Sequence, residues 1–152
     1  MSRFVGVRPT SLYNVSNLSS TIPMASSKKK VNAAPKSERK KVVLAYSGGL
    51  DTSVAIRWLQ DNHDLDVVAV SIDVGQPGDM EKNIERAKSI GSVAAYAIDA
   101  REAFAEDYVW PSLKANALYQ GIYPLSTAIA RPLIAKLLVD VAKKEGADFI
   151  AH

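Results

Sequence analysis

From Val42 onward, the chain alternates short apolar runs with amphipathic stretches. The runs are rich in β-branched residues and have the length of buried strands, and the stretches between them carry apolar residues at helical spacing. This pattern predicts an α/β fold, in which repeated strand–helix units form a parallel sheet covered by helices on both faces. We expect strands over residues 42–46, 66–72, 93–98 and 148–151, and helices over residues 52–62, 79–90, 101–117 and 126–145.

Two prolines lie inside predicted helices. Pro111 either kinks or divides the helix over residues 101–117, because proline has no N–H and clashes with the preceding turn. Pro132 interrupts the last helix, which moves the expected start of that helix towards Arg131. Each proline is therefore expected to set a bend or a helix boundary close to its own position.

Residues 1–41 show no hydrophobic periodicity and are rich in Ser, with Glu38 as the first acidic residue. A segment of this kind, poor in acids and carrying Arg3 and Arg8, is typical of an organellar transit peptide. We expect a transit peptide followed by a disordered linker, and import into the chloroplast stroma. A disordered extension of a cytoplasmic protein is the alternative, and Met24 is a second candidate start that would remove most of the segment.

Composition and charge narrow the function classes. The 152 residues are 47% hydrophobic and 23% charged, which is ordinary for a soluble globular protein. The absence of cysteine excludes disulfides, thiolate metal sites and a cysteine nucleophile from these residues, and no apolar run approaches the roughly 20 residues that span a bilayer. Residues 1–41 hold nine Lys or Arg and one acid, whereas residues 42–152 hold ten Lys or Arg and fifteen acids. The folded part therefore lacks the basic character expected of a nucleic-acid-binding domain.

A glycine turn follows the first predicted strand and leads into a helix. The strand ends before Ser47–Gly49, and Asp51–Ser53 supplies helix-starting side chains. Glycines let the backbone approach a ligand closely, N–H groups at a helix start favour anions, and the hydroxyls of this stretch suit phosphate oxygens. The arrangement predicts a phosphate-binding loop. The alternative is an ordinary strand–helix turn, in which Asp51 or Thr52 caps the helix.

Two aspartates near this loop each have two interpretations. Asp51 would repel a polyphosphate unless a cation lay between them, so it either helps to bind Mg²⁺ or caps the helix. Asp73 ends the second strand, where it either reaches ribose hydroxyls or bonds its own backbone to start a turn. Because ligands bind beyond the carboxyl ends of parallel strands, we expect phosphates at Ser47–Ser53 and adenosine near Ile72 and Asp73.

The segment from Tyr119 to Pro132 contains further polar candidates. Tyr123 precedes a proline and is therefore held extended. Ser126 is a good helix-start residue, and Arg131 could present its guanidinium to a carboxylate. Without a ligand, Ser126 would be a cap, Tyr123 a half-buried aromatic and Arg131 a surface ion-pair partner.

The glycine loop resembles that of a known enzyme group. It lacks the lysine of a Walker A loop and the third glycine of a dinucleotide fingerprint. Its pattern Ser-Gly-Gly-x-Asp-[Ser/Thr] instead resembles the PP-loop of the N-type ATP pyrophosphatases, which cleave ATP between its α- and β-phosphates. Within that group, Ala45–Ser53 is similar to the argininosuccinate synthase family, and so are Glu106–Pro111, Tyr123–Ala135 and Asp148–His152. The resemblance extends from about Lys41 to His152.

This resemblance implies a Rossmann-like PP-loop domain over residues 42–152, of the adenine nucleotide alpha hydrolase-like kind, and a ligase activity. In the family, ATP adenylates citrulline with release of pyrophosphate, and aspartate then displaces AMP to give argininosuccinate in arginine biosynthesis. No protein nucleophile is implied, and the complete family protein is a homotetramer. The implied ATP contacts are Ala45, Tyr46, Ser47, Gly48, Gly49, Leu50, Asp51, Thr52, Ser53 and Ile72, and the implied citrulline contacts are Tyr123, Thr127 and Arg131.

The resemblance also indicates parts of the family that would follow His152. A Gly-Lys-Gly-Asn-Asp-type loop for aspartate and ATP would begin there, followed by a second domain. We therefore expect a truncated chain that is inactive alone. One serine contact of the family falls at Ala128, and the adjacent Thr127 would take its place. The alternative functions are another PP-loop ATP pyrophosphatase and a non-catalytic nucleotide-binding module.

Overall fold

The computed structural model describes residues 39–152, so almost all of the expected transit peptide and linker lies outside the described residues. Strands and helices alternate in the predicted order. In this part of the chain, no helix has the length and apolar content needed to cross a membrane. The elements are β1 (Lys41–Ala45), α1 (Leu50–His63), β2 (Asp66–Asp73), α2 (Met80–Ile90), β3 (Ala94–Asp99), α3 (Arg101–Phe104), a π-helical turn (Ala105–Val109), α4 (Trp110–Lys114), α5 (Ser126–Glu145) and β4 (Phe149–Ala151).

The four strands form one parallel sheet in the order β3-β2-β1-β4. Val43 in β1 pairs with Val68 of β2 on one side and with Ile150 of β4 on the other. The chain moves outward from β1 through β2 to β3, and then returns to the opposite side of β1. The strand order therefore reverses beside β1, which is where open parallel sheets bind ligands. The predicted α/β class with a parallel sheet is confirmed.

The core is divided between the two faces of the sheet, because successive residues of a strand point to opposite faces. On one face, Leu44 and Val67 pack with Ile56 of α1 and Ala87 of α2. On the other face, the core lies beneath α3 and α5. Burial of each large aliphatic side chain stabilises the fold by about 1.5–3 kcal/mol. The second face contains Val43, Val68, Phe104, Leu133 and Val141.

The last helix does not begin near Arg131 as expected. It is continuous from Ser126 to Glu145 and contains Pro132 in its interior. Pro132 removes only the hydrogen bond that its N–H would have donated to the carbonyl of Ala128. Its ring is exposed, while the neighbouring Leu133 is almost completely buried, so the packing of α5 against the sheet offsets that loss.

The helix predicted over residues 101–117 is shorter and less regular than expected. It consists of α3, the π-helical turn and α4, and it ends at Lys114. Pro111 lies at the second position of α4, where a missing N–H costs little. Asn116 has a left-handed φ of 49°, a conformation that follows helix ends and prevents continuation to residue 117.

Candidate functional site

The glycine loop joins the end of β1 to the start of α1 without a side-chain cap. Gly49 is the N-cap of α1, and no side chain makes a capping hydrogen bond there. The alternative in which Asp51 or Thr52 caps this helix is therefore wrong. Asp51 is exposed in the first turn of α1. The uncapped N-terminus of a helix of 14 residues leaves backbone donors and the positive end of its dipole available to an anion.

Hydroxyl groups brace the loop internally. Ser53 Oγ donates to the carbonyl of Gly49 at 2.7 Å and lies 3.0 Å from the hydroxyl of Tyr46. Ser47 Oγ and Thr52 Oγ1 are 3.2 Å apart. The hydroxyls expected to bind phosphate thus bond to the loop itself and to the first turn of α1.

A cleft of about 570 Å³ opens at the carboxyl ends of β1 and β2. Its lining includes Ser47 at the start of the glycine loop, Val74–Gln76 of the turn after β2, and residues from the first turns of α5. Six of the sequence-predicted site residues line it: Ala45, Tyr46, Ser47, Ile72, Thr127 and Arg131. Gly48–Ser53 and Tyr123 lie outside its lining, so the structure brings together part of the predicted set.

The turn after β2 is fixed by side chains. Asp73 accepts a hydrogen bond from the N–H of Gly75 at 2.8 Å, which confirms its interpretation as a turn-starting aspartate. Gln76 donates to the carbonyl of Ile72 at 2.8 Å and accepts from the N–H of Val74 at 2.9 Å. This turn is therefore held in shape at the position where adenosine is expected.

An arginine at the start of α3 contacts the aspartates that end β2 and β3. Arg101 bonds Asp99 at 2.6 Å and lies 3.6 Å from the carboxylate of Asp73. The hydrogen bonds from Arg101 lower the pKa of Asp99 to about 2. Asp73 and Asp99 are register partners on neighbouring strands, so Arg101 separates two carboxylates that would otherwise repel each other at the edge of the cleft.

The start of α5 differs from its predicted capping. Leu125, with a left-handed φ of 54°, is the N-cap, and Ser126 makes no cap bond. Thr127 and Arg131 are one helical turn apart and both line the cleft. Tyr123 is 46% exposed, and its hydroxyl lies 3.4 Å from Thr127 Oγ1. Tyr123 is therefore more exposed than the half-buried aromatic that the sequence predicted.

Arg131 is not the surface ion-pair partner that the sequence suggested as the alternative. Within residues 39–152 it forms no ion pair or hydrogen bond, and its side chain lines the cleft. A guanidinium in that state presents its donors to a ligand. A carboxylate is the group that this planar fork matches best.

Sequence reasoning missed the contribution of α2. Asn83 lines the cleft and donates to the carbonyl of Ser47 at 3.4 Å, and Arg86 donates to the carbonyl of Gly48 at 2.6 Å. Their spacing of three residues on a helix puts them on one side of α2. Because α1 and α2 lie on the same face of the sheet, that side could have been expected to approach the loop before α1.

Known proteins are similar in sequence to this chain over residues 41–152. The family "Arginosuccinate synthase N-terminal HUP domain" matches residues 41–152. The chain belongs to the argininosuccinate synthase family. Its relatives include argininosuccinate synthases from Dehalococcoides mccartyi (58% identical over 112 residues, 74% of this chain and 28% of the relative) and Clostridium tetani (59% over 114 residues, 75% and 29%). An NAD⁺ synthetase from Burkholderia pseudomallei covers 73% of this chain and 44% of that protein, with 18% identity and a TM-score of 0.44.

Family membership confirms the resemblance drawn from the glycine loop and the three other segments. It sets aside the alternative of a different PP-loop ATP pyrophosphatase. The chain spans about 28% of the length of the curated argininosuccinate synthases that it matches. The assignment of individual residues to ATP and citrulline stays a prediction.

Proposed function

We propose that this chain is the ATP- and citrulline-binding part of an argininosuccinate synthase. The complete reaction joins citrulline and aspartate, converts ATP to AMP and pyrophosphate, and serves arginine biosynthesis. The observation that carries the proposal is the cleft at the carboxyl ends of β1 and β2. It brings Ser47 at the start of the glycine loop, the turn after β2 and the guanidinium of Arg131 to one place.

The nucleotide would lie across the two strand ends. Its phosphates would meet the loop Ala45–Ser53, where α1 has no side-chain cap and Gly48 allows close approach. The adenosine would extend towards Ile72, whose side chain lines the cleft beside the turn held by Gln76. In this orientation the α-phosphate would lie between the loop and the start of α5.

Mg²⁺ fits this proposal as an ion that arrives with ATP. Residues 39–152 contain no group of three or more His, Cys, Asp or Glu that could bind a metal ion. Mg²⁺ commonly binds through one or two carboxylates together with substrate phosphates, and Asp51 is an exposed carboxylate beside the loop. Bound there, the ion would neutralise part of the phosphate charge, and Asp51 would be its protein ligand.

Citrulline would bind beside the start of α5. Arg131 would pair with its α-carboxylate, and Tyr123 and Thr127 would contribute hydroxyls, with Thr127 in place of the serine that the family often has at Ala128. The ureido oxygen of citrulline would attack the α-phosphorus, the bond to the β-phosphate oxygen would break, and pyrophosphate would leave. The amine of aspartate would then displace AMP. Positioning of the two substrates accounts for the catalysis, since no protein nucleophile is required.

A chimaeric enzyme tests the proposal. Residues 41–152 replace the matching 112 residues of the Dehalococcoides mccartyi relative, and pyrophosphate and argininosuccinate are measured with ATP, citrulline and aspartate. We expect citrulline-dependent release of pyrophosphate and formation of argininosuccinate. Arg131→Ala in the chimaera should raise the KM for citrulline, whereas Lys143→Ala, an exposed cation elsewhere on α5, should not.

The chimaera also separates the remaining alternative. A folded chimaera that binds ATP yet releases no pyrophosphate with citrulline would favour a non-catalytic nucleotide-binding module. A folded chimaera that binds neither substrate would contradict the proposal altogether.

We further propose that the segment before about Lys41 directs import into the chloroplast stroma, and that the complete protein assembles as a homotetramer. The composition of residues 1–41 supports the first point, since they hold nine basic residues and one acid. The second point is an expectation drawn from the resemblance to the family.

A further inference from the structure

Two side chains of α2 contact the carbonyl groups of the glycine loop. Arg86 Nη1 donates to the carbonyl of Gly48 at 2.6 Å, and Asn83 Nδ2 donates to the carbonyl of Ser47 at 3.4 Å. The two side chains are three residues apart, which places them on the same side of the helix. They lie 38 and 36 residues beyond their partners, so tertiary packing creates both contacts.

These contacts orient two peptide groups. The described residues contain no cis peptide bond, and in a trans peptide the carbonyl and the N–H point in opposite directions. The bond from Asn83 therefore turns the N–H of Gly48 away from α2. The bond from Arg86 does the same for the N–H of Gly49, which donates to Ser47 Oγ at 3.3 Å. Successive backbone donors that point in one direction form an anion-binding concavity.

The side chain of Asn83 also lies close to Gly48 and occupies the space that a Cβ would take. A Cβ added to Gly48 would lie 2.0 Å from Asn83 Oδ1. Gly48 has a φ of +79°, a left-handed conformation that favours glycine. The loop shape is thus fixed from both sides, by the backbone conformation of Gly48 and by the side chain of Asn83.

Arg86 adds a positive charge next to the loop. A charge-assisted hydrogen bond of 2.6 Å is stronger than a bond between neutral groups. Within residues 39–152 no carboxylate pairs with Arg86, so its charge is available to stabilise an anion on the loop. Its hydrogen bond also polarises the Gly48–Gly49 peptide, which makes the N–H of Gly49 a better donor.

We propose that Arg86 and Asn83 are positioning residues of the glycine loop, which fix the N–H groups of Gly48 and Gly49 for the polyphosphate of ATP. The identity of the ligand, ATP, rests on the proposed function. The loop geometry rests on the two hydrogen bonds from α2. The role is separate from direct contact with substrate, because both side chains bond to the loop carbonyls.

Isothermal titration calorimetry on the full chain tests the proposal with ATP, inorganic pyrophosphate and adenosine. Arg86→Ala should weaken the binding of ATP and of pyrophosphate, each about tenfold or more and by similar factors. The affinity for adenosine should stay unchanged. Arg86→Lys should restore most of the affinity, because it keeps a cation that can reach the carbonyl. Lys88→Ala is the matched control, since it removes a cation from the same helix without touching the loop.

Amide hydrogen exchange supplies a readout that needs no ligand. The N–H groups of Gly48 and Gly49 should exchange faster in Arg86→Ala and Asn83→Ala than in the wild type, and at the wild-type rate in Lys88→Ala. Unchanged exchange would overturn the proposal. So would an equal loss of affinity for adenosine, or polyphosphate affinities in Arg86→Ala that match those of Lys88→Ala.

These two readouts separate the inference from the proposed function. A wild-type chain that binds neither ATP nor pyrophosphate would contradict the proposed ligand. Faster exchange in the α2 variants would still support positioning of the loop, and unchanged exchange would still reject it.

Discussion

Lys41 Nζ, at the start of β1, lies 3.2 Å from Glu145 Oε2, at the end of α5, and so connects two elements that are 104 residues apart. The other carboxylate oxygen of Glu145 accepts a hydrogen bond from the hydroxyl of Tyr96 in β3. This bond lowers the pKa of Glu145 below its usual value and raises the pKa of Tyr96 to about 12. One carboxylate thus joins β1, β3 and α5.

The first prediction is a dependence of stability on pH. The folded pKa of Glu145 is depressed, so its contribution is present above the ordinary value of 4.5 and is lost as the pH falls. The folded pKa of Tyr96 is raised, so its contribution is complete below pH 10 and is lost between pH 10 and about 12.

Denaturation by urea at a series of pH values measures both contributions. Tyr96→Phe should lower the free energy of unfolding by about 0.5–1.5 kcal/mol at pH 7, as expected for one hydrogen bond. It should also reduce the loss of stability between pH 10 and 12. Tyr119→Phe is the control, because Tyr119 is 57% exposed and its hydroxyl has no partner among residues 39–152. Identical pH profiles for the two variants would contradict the prediction.

The second prediction concerns Gly48 and Asn83. Gly48→Ala should destabilise the fold by more than Gly146→Ala. Both glycines have a positive φ, but a Cβ on Gly146 meets nothing within 4 Å, whereas one on Gly48 meets Asn83 Oδ1 at 2.0 Å. The left-handed conformation alone costs about 1–2 kcal/mol in each case.

A double-mutant cycle isolates the steric part of that cost. Asn83→Ala should recover about 1 kcal/mol or more of the stability lost in Gly48→Ala, because the two side chains compete for one space. ATP affinity should stay low in the double variant, since the strained φ remains. Additive losses of stability in the cycle would show that the Asn83 contact does not set the cost.

The sequence predicted the fold well because strand burial is a local signal. The runs Val42–Tyr46 and Val67–Val70 are apolar throughout, and both lie in central strands of the parallel sheet. Helix boundaries were predicted less well. The run of apolar positions could not reveal that packing of Leu133 would keep α5 continuous across Pro132, nor that Asn116 would adopt a left-handed conformation.

The candidate site was predicted in part. The glycine loop was found because its residue pattern suits phosphate binding, and Arg131 because its guanidinium suits a carboxylate. Arg86 and Asn83 were not, since their role depends on the approach of α2 to the loop across more than 30 residues. The interpretation of Asp51 as a cap is wrong for a related reason. The N-cap of α1 is Gly49, two positions earlier, so Asp51 lies within the first turn of the helix.

The third prediction concerns citrulline. Tyr123→Ala should weaken citrulline binding by about 1–3 kcal/mol, the cost of a lost hydrogen bond and of lost packing. Calorimetry in the presence of a non-hydrolysable ATP analogue measures it. Ile122→Ala is the control, because Ile122 lies in the same turn and is 85% exposed. Equal citrulline affinity in the two variants would indicate that Tyr123 has only a structural role.

The fourth prediction concerns targeting. Residues 1–41 fused to a fluorescent protein should accumulate in plastids, because the segment is Ser-rich, poor in acids and carries Arg3 and Arg8. Replacement of Arg3 and Arg8 with Glu should reduce import. A uniform cytoplasmic signal from the unmodified fusion would favour a disordered cytoplasmic extension.

The last prediction is that the 152-residue chain binds ATP but does not form argininosuccinate on its own. The ligands carry a polyphosphate and three carboxylates, and Arg131 is the one cationic side chain among the described residues that line the cleft. Aspartate would have no partner for its carboxylates there, and its amine must be positioned at the activated carbon for the second step. The chain also spans about 28% of the length of its curated relatives.

We therefore expect ATP binding by calorimetry and no argininosuccinate in a coupled assay, whereas the chimaera with the Dehalococcoides mccartyi relative should form it. Multiple turnovers by the purified chain at a rate near that of the chimaera would prove the prediction wrong.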